Sequence, residues 1–347
     1  MPTTGPFQVV LYYRYVNLTE DEVEATIAFQ QDLCASLGLS GRVRLSEEGI
    51  NGTLGGTPES IQAYIDAMAS QPFSDVDWKL STADELPFND LLIRRVKEIV
   101  SIELPDDECR VSDTGIHLKP EEFHAALEST ANAAVIDVRN NYEFNIGHFK
   151  NAMNPSTRRF GQFPQWVRDH LEELQTKDSI LMYCTGGIRC EKASAYLKHL
   201  GLSNVYQLQG GIHRYLEAFP DGGAFVGKNF VFDQRVAMSS SNDQVVGHCQ
   251  GCDSAHDVIS GIRCSYCRMH VMLCTACDDK LDRPLFCHDH EWMGQGTVDD
   301  LALKLAGLES KLTASIGPKE KGHRRSIRKQ MDAIQASLDA IQKAVVA

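Results

Sequence analysis

The sequence predicts a multidomain protein that combines an α+β domain, an α/β domain with a parallel sheet, a Cys-rich zinc-binding segment and a C-terminal helical hairpin. Three observations lead to this prediction. The first part alternates strands and helices in the order β-α-β-β-α-β, the second alternates short buried strands with helices, and seven of the 11 cysteines fall between Cys249 and Cys287. We place the boundaries at residues 1–108, 109–225, 226–296 and 297–347.

The composition indicates a globular, acidic chain. Its 347 residues are enough for two or three domains, and 43% of them are hydrophobic. The formal net charge of -13 argues weakly against generic nucleic-acid binding, which rests on phosphate neutralisation by Lys and Arg. No apolar run reaches the roughly 18 residues of a membrane helix, and no basic stretch precedes the first apolar run. We therefore expect no membrane contact and a cytoplasmic location.

The first domain is predicted from strand and helix patterns. Residues 7–15 have the aromatic and β-branched content of a strand. Apolar residues at helical spacing follow, and Gly38 ends that helix. We predict strands over residues 7–15, 42–45, 53–55, 77–80 and 91–102, helices over 22–37 and 58–69, and a turn-rich loop over 47–52. This order is that of the ferredoxin-like fold.

The second domain is predicted from continuous apolar runs. Residues 133–138, 180–183 and 205–208 are short enough for buried parallel strands. A helix over residues 191–200 separates the last two runs, and Gly201 ends it. Strands that alternate with helices in this way predict a parallel sheet.

A loop between an apolar strand and a helix carries the candidate active site. A tight turn there points backbone N–H groups at the sulfur of Cys184, and the helix N-terminus adds partial positive charge. Both stabilise the thiolate, which is the nucleophilic form. We predict Cys184 as the nucleophile and Arg189 as an anion clamp. The residues between them are predicted to bind substrate, two of them as glycines that permit positive φ: Thr185, Gly186, Gly187 and Ile188.

Other motifs give this loop a specific resemblance. Residues 136–139 (Ile-Asp-Val-Arg), 142–144 (Tyr-Glu-Phe) and 147–149 (Gly-His-Phe) resemble the first signature of rhodanese domains, and residues 184–189 resemble the second. The pair Gly210-Gly211 resembles the third, with His213 in place of Trp. The resemblance implies a persulfide on Cys184. A six-residue loop suits sulfur chemistry in rhodanese relatives, whereas a loop longer by one residue suits phosphate or arsenate, so a phosphatase is disfavoured.

Three neighbours of the loop are predicted to support it. Asp137 and Arg139 follow a buried strand, where a carboxylate is more often a helix cap or salt-bridge partner than a part of the site. Cys190 begins the next helix and has two interpretations of equal weight. It resolves a Cys184 persulfide as a disulfide, or it is a small buried hydrophobe.

Longer motifs extend the resemblance to the tRNA uridine hydroxylase family. Residues 44–53, 182–192 and 227–236 carry it, and the match covers roughly residues 7 to 290. It implies an acylphosphatase-like N-terminal domain, tRNA as partner and oxygen-dependent hydroxylation of the wobble uridine to 5-hydroxyuridine. The sequence shows no haem motif, flavin fingerprint or facial His/carboxylate triad. One route for oxygen is an oxidised Cys184 species such as a sulfenic acid or a peroxidised persulfide.

Four ligand pairs predict two structural zinc ions in the third segment. A Cys-x-x-Cys pair presents two thiolates to one tetrahedral ion, and eight ligands fill two ions completely. Pairing of the first with the third pair and the second with the fourth would form a cross-brace, and sequential pairing is the alternative. His288 competes with His290 in the last pair. The predicted ligands are Cys249, Cys252, Cys264, Cys267, Cys274, Cys277, Cys287 and His290.

The C-terminal segment is predicted to be an antiparallel helical hairpin with a break at Gly317-Pro318, and we expect it to contact a protein partner. For the whole chain the leading hypothesis is a tRNA uridine hydroxylase. One alternative is a thiosulfate or persulfide sulfurtransferase that uses a Cys184 persulfide. Another is a binding module in which the cysteine loop is residual, although the intact Cys184 and Arg189 count against it.

Overall fold

The structure is a computed structural model that describes residues 5–73, 75–241, 244–259, 261–280, 285–291, 297–314 and 321–346. The chain divides into two compact units, residues 1–244 and 245–347. No helix in the described part of the chain is long and apolar enough to cross a membrane.

The first domain has the ferredoxin-like fold that the sequence predicts. Its strands are β1 (Phe7–Tyr15), β2 (Ser40–Ser46), β3 (Gly49–Gly56), β4 (Lys79–Ala83) and β5 (Leu91–Arg95), and its helices are α1 (Glu20–Ser36) and α2 (Pro58–Met68). The sheet order is β4-β1-β3-β2-β5. Antiparallel pairing joins the first four strands, and β5 adds to β2 in parallel.

The predicted loop over residues 47–52 is wrong in extent, because only Glu47 and Glu48 form the turn between β2 and β3. Its glycines belong to β3 and serve close packing. A Cβ atom on Gly49 would lie 2.0 Å from the carbonyl oxygen of Arg14, and one on Gly52 would lie 2.4 Å from the ring of Tyr12. In a sequence, such glycines usually indicate a turn or a break in a strand. Here they lie within a strand, and their lack of a side chain lets a neighbouring strand and an aromatic ring approach closely.

The second domain contains the predicted parallel sheet, in the order β6-β10-β9-β7. Its strands are β6 (Ile116–Leu118), β7 (Ala133–Asp137), β8 (Gly147–Phe149), β9 (Ser179–Tyr183) and β10 (Val205–Leu208). Its helices are α3 (Pro120–Ser129), α4 (Asn141–Phe144), α5 (Phe163–Asp169), α6 (Leu171–Gln175), α7 (Ile188–His199) and α8 (Gly211–Ala218). Buried apolar clusters cover the sheet, with Ile136, Ile180 and Met182 in one and Val135, Leu181 and Leu208 in the other.

Two further strands, β11 (Phe225–Phe230) and β12 (Ala237–Ser239), continue this unit. They form a small sheet with β8 in the order β12-β11-β8. Strand pairing thus joins residues 225–239 to the second domain, whereas the predicted boundary places residues 226–296 with the cysteines.

The second unit is built on one apolar core. Its helices are α9 (Thr275–Asp278), α10 (Val298–Ala314) and α11 (Lys321–Val346). Leu301 and Leu308 of α10 and Ile327 and Ile334 of α11 share this core with Val271 and Leu273 of the Cys-rich segment. The helical tail is therefore packed against that segment. The predicted break at Gly317-Pro318 lies outside the described residues.

Candidate active site and metal clusters

The cysteine loop joins β9 to α7 and is held from two sides. The side chain of Cys184 is fully buried, and the backbone N–H of Gly187 donates to its Sγ with an N···S distance of 3.1 Å. Gly187 has a φ of 102°. The N–H groups of Ile212 and His213 at the start of α8 donate to the carbonyl oxygens of Cys184 and Thr185, at 2.9 and 3.1 Å. The start of α8 therefore fixes the backbone of the loop.

Gly211 explains why a glycine pair precedes α8. A Cβ atom on Gly211 would lie 2.5 Å from the carbonyl oxygen of Cys184, and the residue has a φ of 67°. His213, which stands where rhodanese domains have Trp, is buried, and its Nδ1 lies 3.4 Å from Glu217. The segment that begins with Gly210-Gly211 thus contacts the cysteine loop through backbone atoms.

Opposing influences set the pKa of the Cys184 thiol. Burial, the largest of them, raises it, because the charged form is disfavoured away from water. The thiol of Cys190, the charge of Arg189 and the N–H groups of residues 189 and 190 stabilise the thiolate and lower the pKa to about 6. Burial and the neighbouring thiolate raise the pKa of Cys190 well above its usual value. The loop therefore favours one thiolate beside one protonated thiol.

Arg189 is paired with a carboxylate that is not among the predicted site residues. Its two terminal nitrogens lie 2.7 Å from the two carboxylate oxygens of Glu143, and both side chains are buried. Thr185 Oγ1 donates to the same carboxylate at 3.3 Å. The charge of Arg189 helps to hold the pKa of Glu143 below its usual value against the opposing effect of burial. Arg189 lies in the first turn of α7, directly after the loop, and Glu143 occupies its guanidinium fork, so its role as an anion clamp stays a prediction.

Asp137 and Arg139 form a fully buried pair of their own. Nη2 of Arg139 lies 2.7 Å from Oδ2 of Asp137 and 2.6 Å from the carbonyl oxygen of Gly147. Arg139 also stacks over the rings of Tyr183 and Phe225. The pair joins the end of β7 to β8, which agrees with the salt-bridge interpretation of these residues.

The N-terminal domain forms one wall of the loop. A Cβ atom on Gly186 would lie 3.1 Å from Cδ2 of Leu11, and one on Gly187 would lie 2.9 Å from Oη of Tyr13. Tyr13 Oη donates to Glu191 at 2.9 Å. Lys79, also buried, pairs with Asp77 at 2.7 Å and lies over the ring of Tyr13. Nothing in the sequence patterns of the cysteine loop predicted this wall, because it comes from another domain.

A cleft of about 1110 Å³ lies beside this junction, and Cys184 is not among its lining residues. Tyr13, Tyr15 and Glu48 line it from the first domain, and Glu191 and Lys192 line it from α7. Lys192 is nearly buried and pairs with Glu48 and Glu98 at 2.7 and 2.9 Å. This ion triplet ties α7 to the first domain.

Two clusters of metal-ligating side chains lie in the second unit. The ligand atoms of Cys249, Cys252, Cys274 and Cys277 lie within 4.8 Å of one another, as do those of Cys264, Cys267, Cys287 and His290. The pairing is the cross-brace, with the first pair beside the third and the second beside the fourth. His290 Nδ1 faces Cys287 Sγ at 3.2 Å, whereas His288 is exposed and pairs with Glu291. Four thiolates, or three thiolates and an imidazole, are the donor sets of tetrahedral zinc.

Three successive segments of the chain match models of known protein families. Residues 7–99 match a profile described as UPF0176 acylphosphatase like domain, residues 119–218 match the Rhodanese-like domain, and residues 226–290 match Rhodanase C-terminal. The acylphosphatase-like match agrees with the ferredoxin-like order of β1–β4, and the rhodanese match contains the cysteine loop.

Two curated relatives align with most of the chain. Rhodanese-like domain-containing protein 6 of Arabidopsis thaliana is 39% identical over 319 residues, which are 84% of this chain and 54% of that protein. The tRNA uridine(34) hydroxylase of Bacillus velezensis is 41% identical over 234 residues, which are 67% of this chain and 71% of that protein. The chain thus spans about half the length of the first relative and over two thirds of the second. A solved rhodanese-related protein from Thermoplasma volcanium is 22% identical over 32% of this chain and 97% of its own, with a TM-score of 0.26.

Proposed function

Because this chain belongs to the tRNA uridine(34) hydroxylase family, we propose that it hydroxylates C5 of the wobble uridine of tRNA and that Cys184 is its reactive residue. The observation that carries the proposal is the buried thiol of Cys184, whose pKa the loop lowers to about 6. A thiol with this pKa is a thiolate at neutral pH. The thiolate is the form that attacks electrophiles and that reactive oxygen species oxidise.

The net reaction replaces C5–H of the uracil by C5–OH. One atom of O₂ enters the base and the other leaves as water, and this requires two electrons from a reductant together with two protons. Arg189 and Thr185 both donate hydrogen bonds to Glu143, and these bonds fix the loop. The N–H of Gly187 donates to the sulfur of Cys184. Burial shields the sulfur from thiols and oxidants in solution, so an oxidised Cys184 would be protected from reduction and from further oxidation. The names of the bacterial relatives favour hydroxylation over sulfur transfer.

Genetic complementation tests this proposal. A strain that lacks its own uridine(34) hydroxylase is supplied with the wild-type gene or with Cys184→Ser, and tRNA nucleosides are analysed by mass spectrometry. We expect 5-hydroxyuridine with the wild type and none with the variant. Wild-type levels with Cys184→Ser would exclude Cys184 as the reactive residue, and thiolated uridine in place of 5-hydroxyuridine would favour a sulfurtransferase.

The two clusters in the second unit are proposed to hold two zinc ions with a structural role. The donor sets fit zinc, and four protein ligands on each ion leave no open position for substrate. Neither group of four contains a carboxylate, the donor that harder cations prefer.

Elemental analysis of two double variants tests the metal and its pairing together. Cys252→Ser/Cys277→Ser removes two ligands from one cluster of the cross-brace, so we expect one zinc per chain. Cys252→Ser/Cys267→Ser removes one ligand from each, so we expect at most weakly held zinc. Sequential pairing predicts the reverse, and a wild-type protein with one zinc or none would refute the eight-ligand assignment.

The remaining assignments stay predictions. They are the ranges of the four domains, the cytoplasmic location, the resolving role of Cys190 and a protein contact through the helical hairpin. For the last, Leu303 on α10 is an apolar side chain that is 76% exposed. It lies on the surface of α10, in a position to meet a partner.

A further inference from the structure

An exposed aromatic ring lies next to the cysteine loop. Phe232 is 55% exposed, although Phe is usually buried. The guanidinium carbon of Arg189, which lies in the first turn of α7 directly after the loop, is 5.9 Å from the centroid of this ring. Arg189 also contributes to the low pKa of Cys184. The ring therefore lies at the rim of the candidate active site.

The turn that carries Phe232 is tied down on both sides. It connects β11 to β12 and is closed by a hydrogen bond from the N–H of Val231 to the carbonyl oxygen of Val236, at 2.9 Å. Arg235 pairs with Asp233 at 2.6 Å and donates to the hydroxyl of Ser81 on β4 at 2.8 Å. The N–H of Gln234 donates to the carbonyl oxygen of Pro87 at 3.0 Å. The ring is therefore presented from a braced position.

The ring of Phe232 packs against Phe230 on one side and is exposed to solvent on the other. Phe230 lies 5.1 Å from Phe232 in a T-shaped arrangement, and Tyr142 lies 5.0 Å from Phe230 in another. Phe230 is buried, so these aromatic contacts lead from α4, which holds Glu143, to the exposed ring. The exposed half of the ring, beside Arg189, is available to stack against a ligand.

An exposed aromatic ring can stack against a nucleic-acid base. Proteins recognise single-stranded RNA by stacking its bases on aromatic rings, and enzymes that modify a base hold it out of its own stack. An anticodon loop is single-stranded. We propose that Phe232 is the platform on which the target uracil stacks, a role that rests on the proposed function and makes Phe232 a substrate-positioning residue. Its place beside Arg189 favours the substrate over a protein partner, which would have no need of the cysteine loop.

Equilibrium binding of an anticodon stem-loop with uridine at position 34 tests the platform without turnover. Stacking on an aromatic side chain is worth about 1–3 kcal/mol per base, so Phe232→Leu should weaken binding by about 5- to 150-fold. Phe232→Tyr should restore binding, because it keeps the ring. Ile116→Ala is the matched control, since Ile116 is an equally exposed apolar residue on β6 and should bind like the wild type.

Two measurements locate the contact at the base. An abasic position 34 should weaken wild-type binding and remove the difference between wild type and Phe232→Leu. Phe232→Trp should show fluorescence quenching by the stem-loop beyond that of the wild type, whose Trp78, Trp166 and Trp292 give the background. Steady-state kinetics of Phe232→Leu should show the loss mainly in KM.

The outcomes separate this proposal from the proposed function. If the wild type makes 5-hydroxyuridine while Phe232→Leu binds and reacts within twofold of it, the stacking platform is refuted and the hydroxylase is not. If the wild type makes no 5-hydroxyuridine but Phe232→Trp is quenched only by the stem-loop with a base at position 34, the hydroxylase is refuted and the platform is not. An equal loss with the abasic stem-loop would show that the ring contacts something other than this base.

Discussion

At the scale of the residue, Cys184 combines full burial with a low pKa, and these two properties normally oppose each other. A buried thiol with no donors nearby becomes less acidic, as Cys34 illustrates, because burial raises its pKa to about 12. Cys184 differs in having hydrogen-bond donors and the charge of Arg189 around its sulfur. These donors and the charge of Arg189 therefore account for the low pKa of a thiol that is shielded from water.

We predict that Cys184 titrates near pH 6. The ultraviolet absorbance of its thiolate is measured as the difference between the wild type and Cys184→Ser across pH. Cys190 stays protonated in this range, because burial and the neighbouring sulfur raise its pKa. The thiolate should be present above about pH 6 and disappear as the pH falls below it. A midpoint at or above the ordinary thiol value of about 8.5 would show that the loop does not stabilise the charge.

The buried pair of Glu143 and Arg189 leads to a prediction about stability. Glu143→Gln keeps the shape of the side chain but leaves the guanidinium without a counter-charge in the interior. We expect the free energy of unfolding to fall by about 3 kcal/mol, a typical cost of breaking a buried ion pair. Urea unfolding measures this loss, and Glu128→Gln, at an exposed carboxylate on α3, is a control that should change little. A loss for Glu143→Gln no larger than that of the control would contradict the prediction.

Sequence patterns identified the loop residues but not Glu143. Cys184, Gly187 and Arg189 follow one another closely in sequence, so local spacing was sufficient to select them. Glu143 lies three residues after Asn140, where its carboxylate also accepts from the backbone N–H of Asn140 at 3.0 Å. A carboxylate at that spacing reads as part of a helix cap. Its contact with Arg189 spans 46 positions and depends on tertiary structure.

At the scale of the element, the strand β1 and the loop before α7 fit together through glycines. Gly187 and Gly201 both have positive φ, at 102° and 90°. A Cβ atom on Gly201 would meet nothing within 4 Å, whereas one on Gly187 would lie 2.9 Å from Oη of Tyr13. A substitution at Gly201 would therefore cause backbone strain alone. One at Gly187 would cause backbone strain and also disturb the contact between the two domains.

We predict that Gly201→Ala lowers the free energy of unfolding by about 1–2 kcal/mol through backbone strain alone. Gly187→Ala should cost more, because Tyr13 must shift and its hydrogen bond to Glu191 weakens. It should also raise the pKa of Cys184, whose sulfur accepts from the N–H of residue 187. Urea unfolding and the thiolate titration measure both effects. Equal behaviour of the two variants would mean that β1 does not shape the loop.

Sequence periodicity predicted most elements and missed those that depend on distant partners. Continuous apolar runs located β7, β9 and β10, and the order of the first domain identified its fold. Residues 96–102, predicted as the end of a strand, instead leave the sheet after Arg95. Ile99 and Ile102 are buried there, so their burial, rather than strand pairing, explains the apolar pattern.

At the scale of the whole molecule, each compact unit has its own core, and the proposed zinc ions belong to the second. A segment this small builds little core without help, so metal contributes folding free energy there. Because α10 and α11 share the core of the Cys-rich segment, the loss of metal should affect them as well.

We therefore predict that chelation removes hydrogen-exchange protection from residues 245–346 and leaves that of residues 5–241 unchanged. The first unit should keep its protection because the sheets of both its domains are free of metal clusters among the described residues. Hydrogen exchange with and without a chelator measures this. Loss of protection across both units would show that they unfold together, and full retention would show that metal does not hold the second unit.

The most direct test of the central claim is the origin of the oxygen atom. Cells that lack their own uridine(34) hydroxylase and carry this gene are grown under ¹⁸O₂, and their tRNA nucleosides are analysed by mass spectrometry. We predict 5-hydroxyuridine that is heavier by the mass difference between ¹⁸O and ¹⁶O, and no such nucleoside with Cys184→Ser. Unlabelled 5-hydroxyuridine would mean that the oxygen comes from water, and would contradict oxygen-dependent hydroxylation at the cysteine loop.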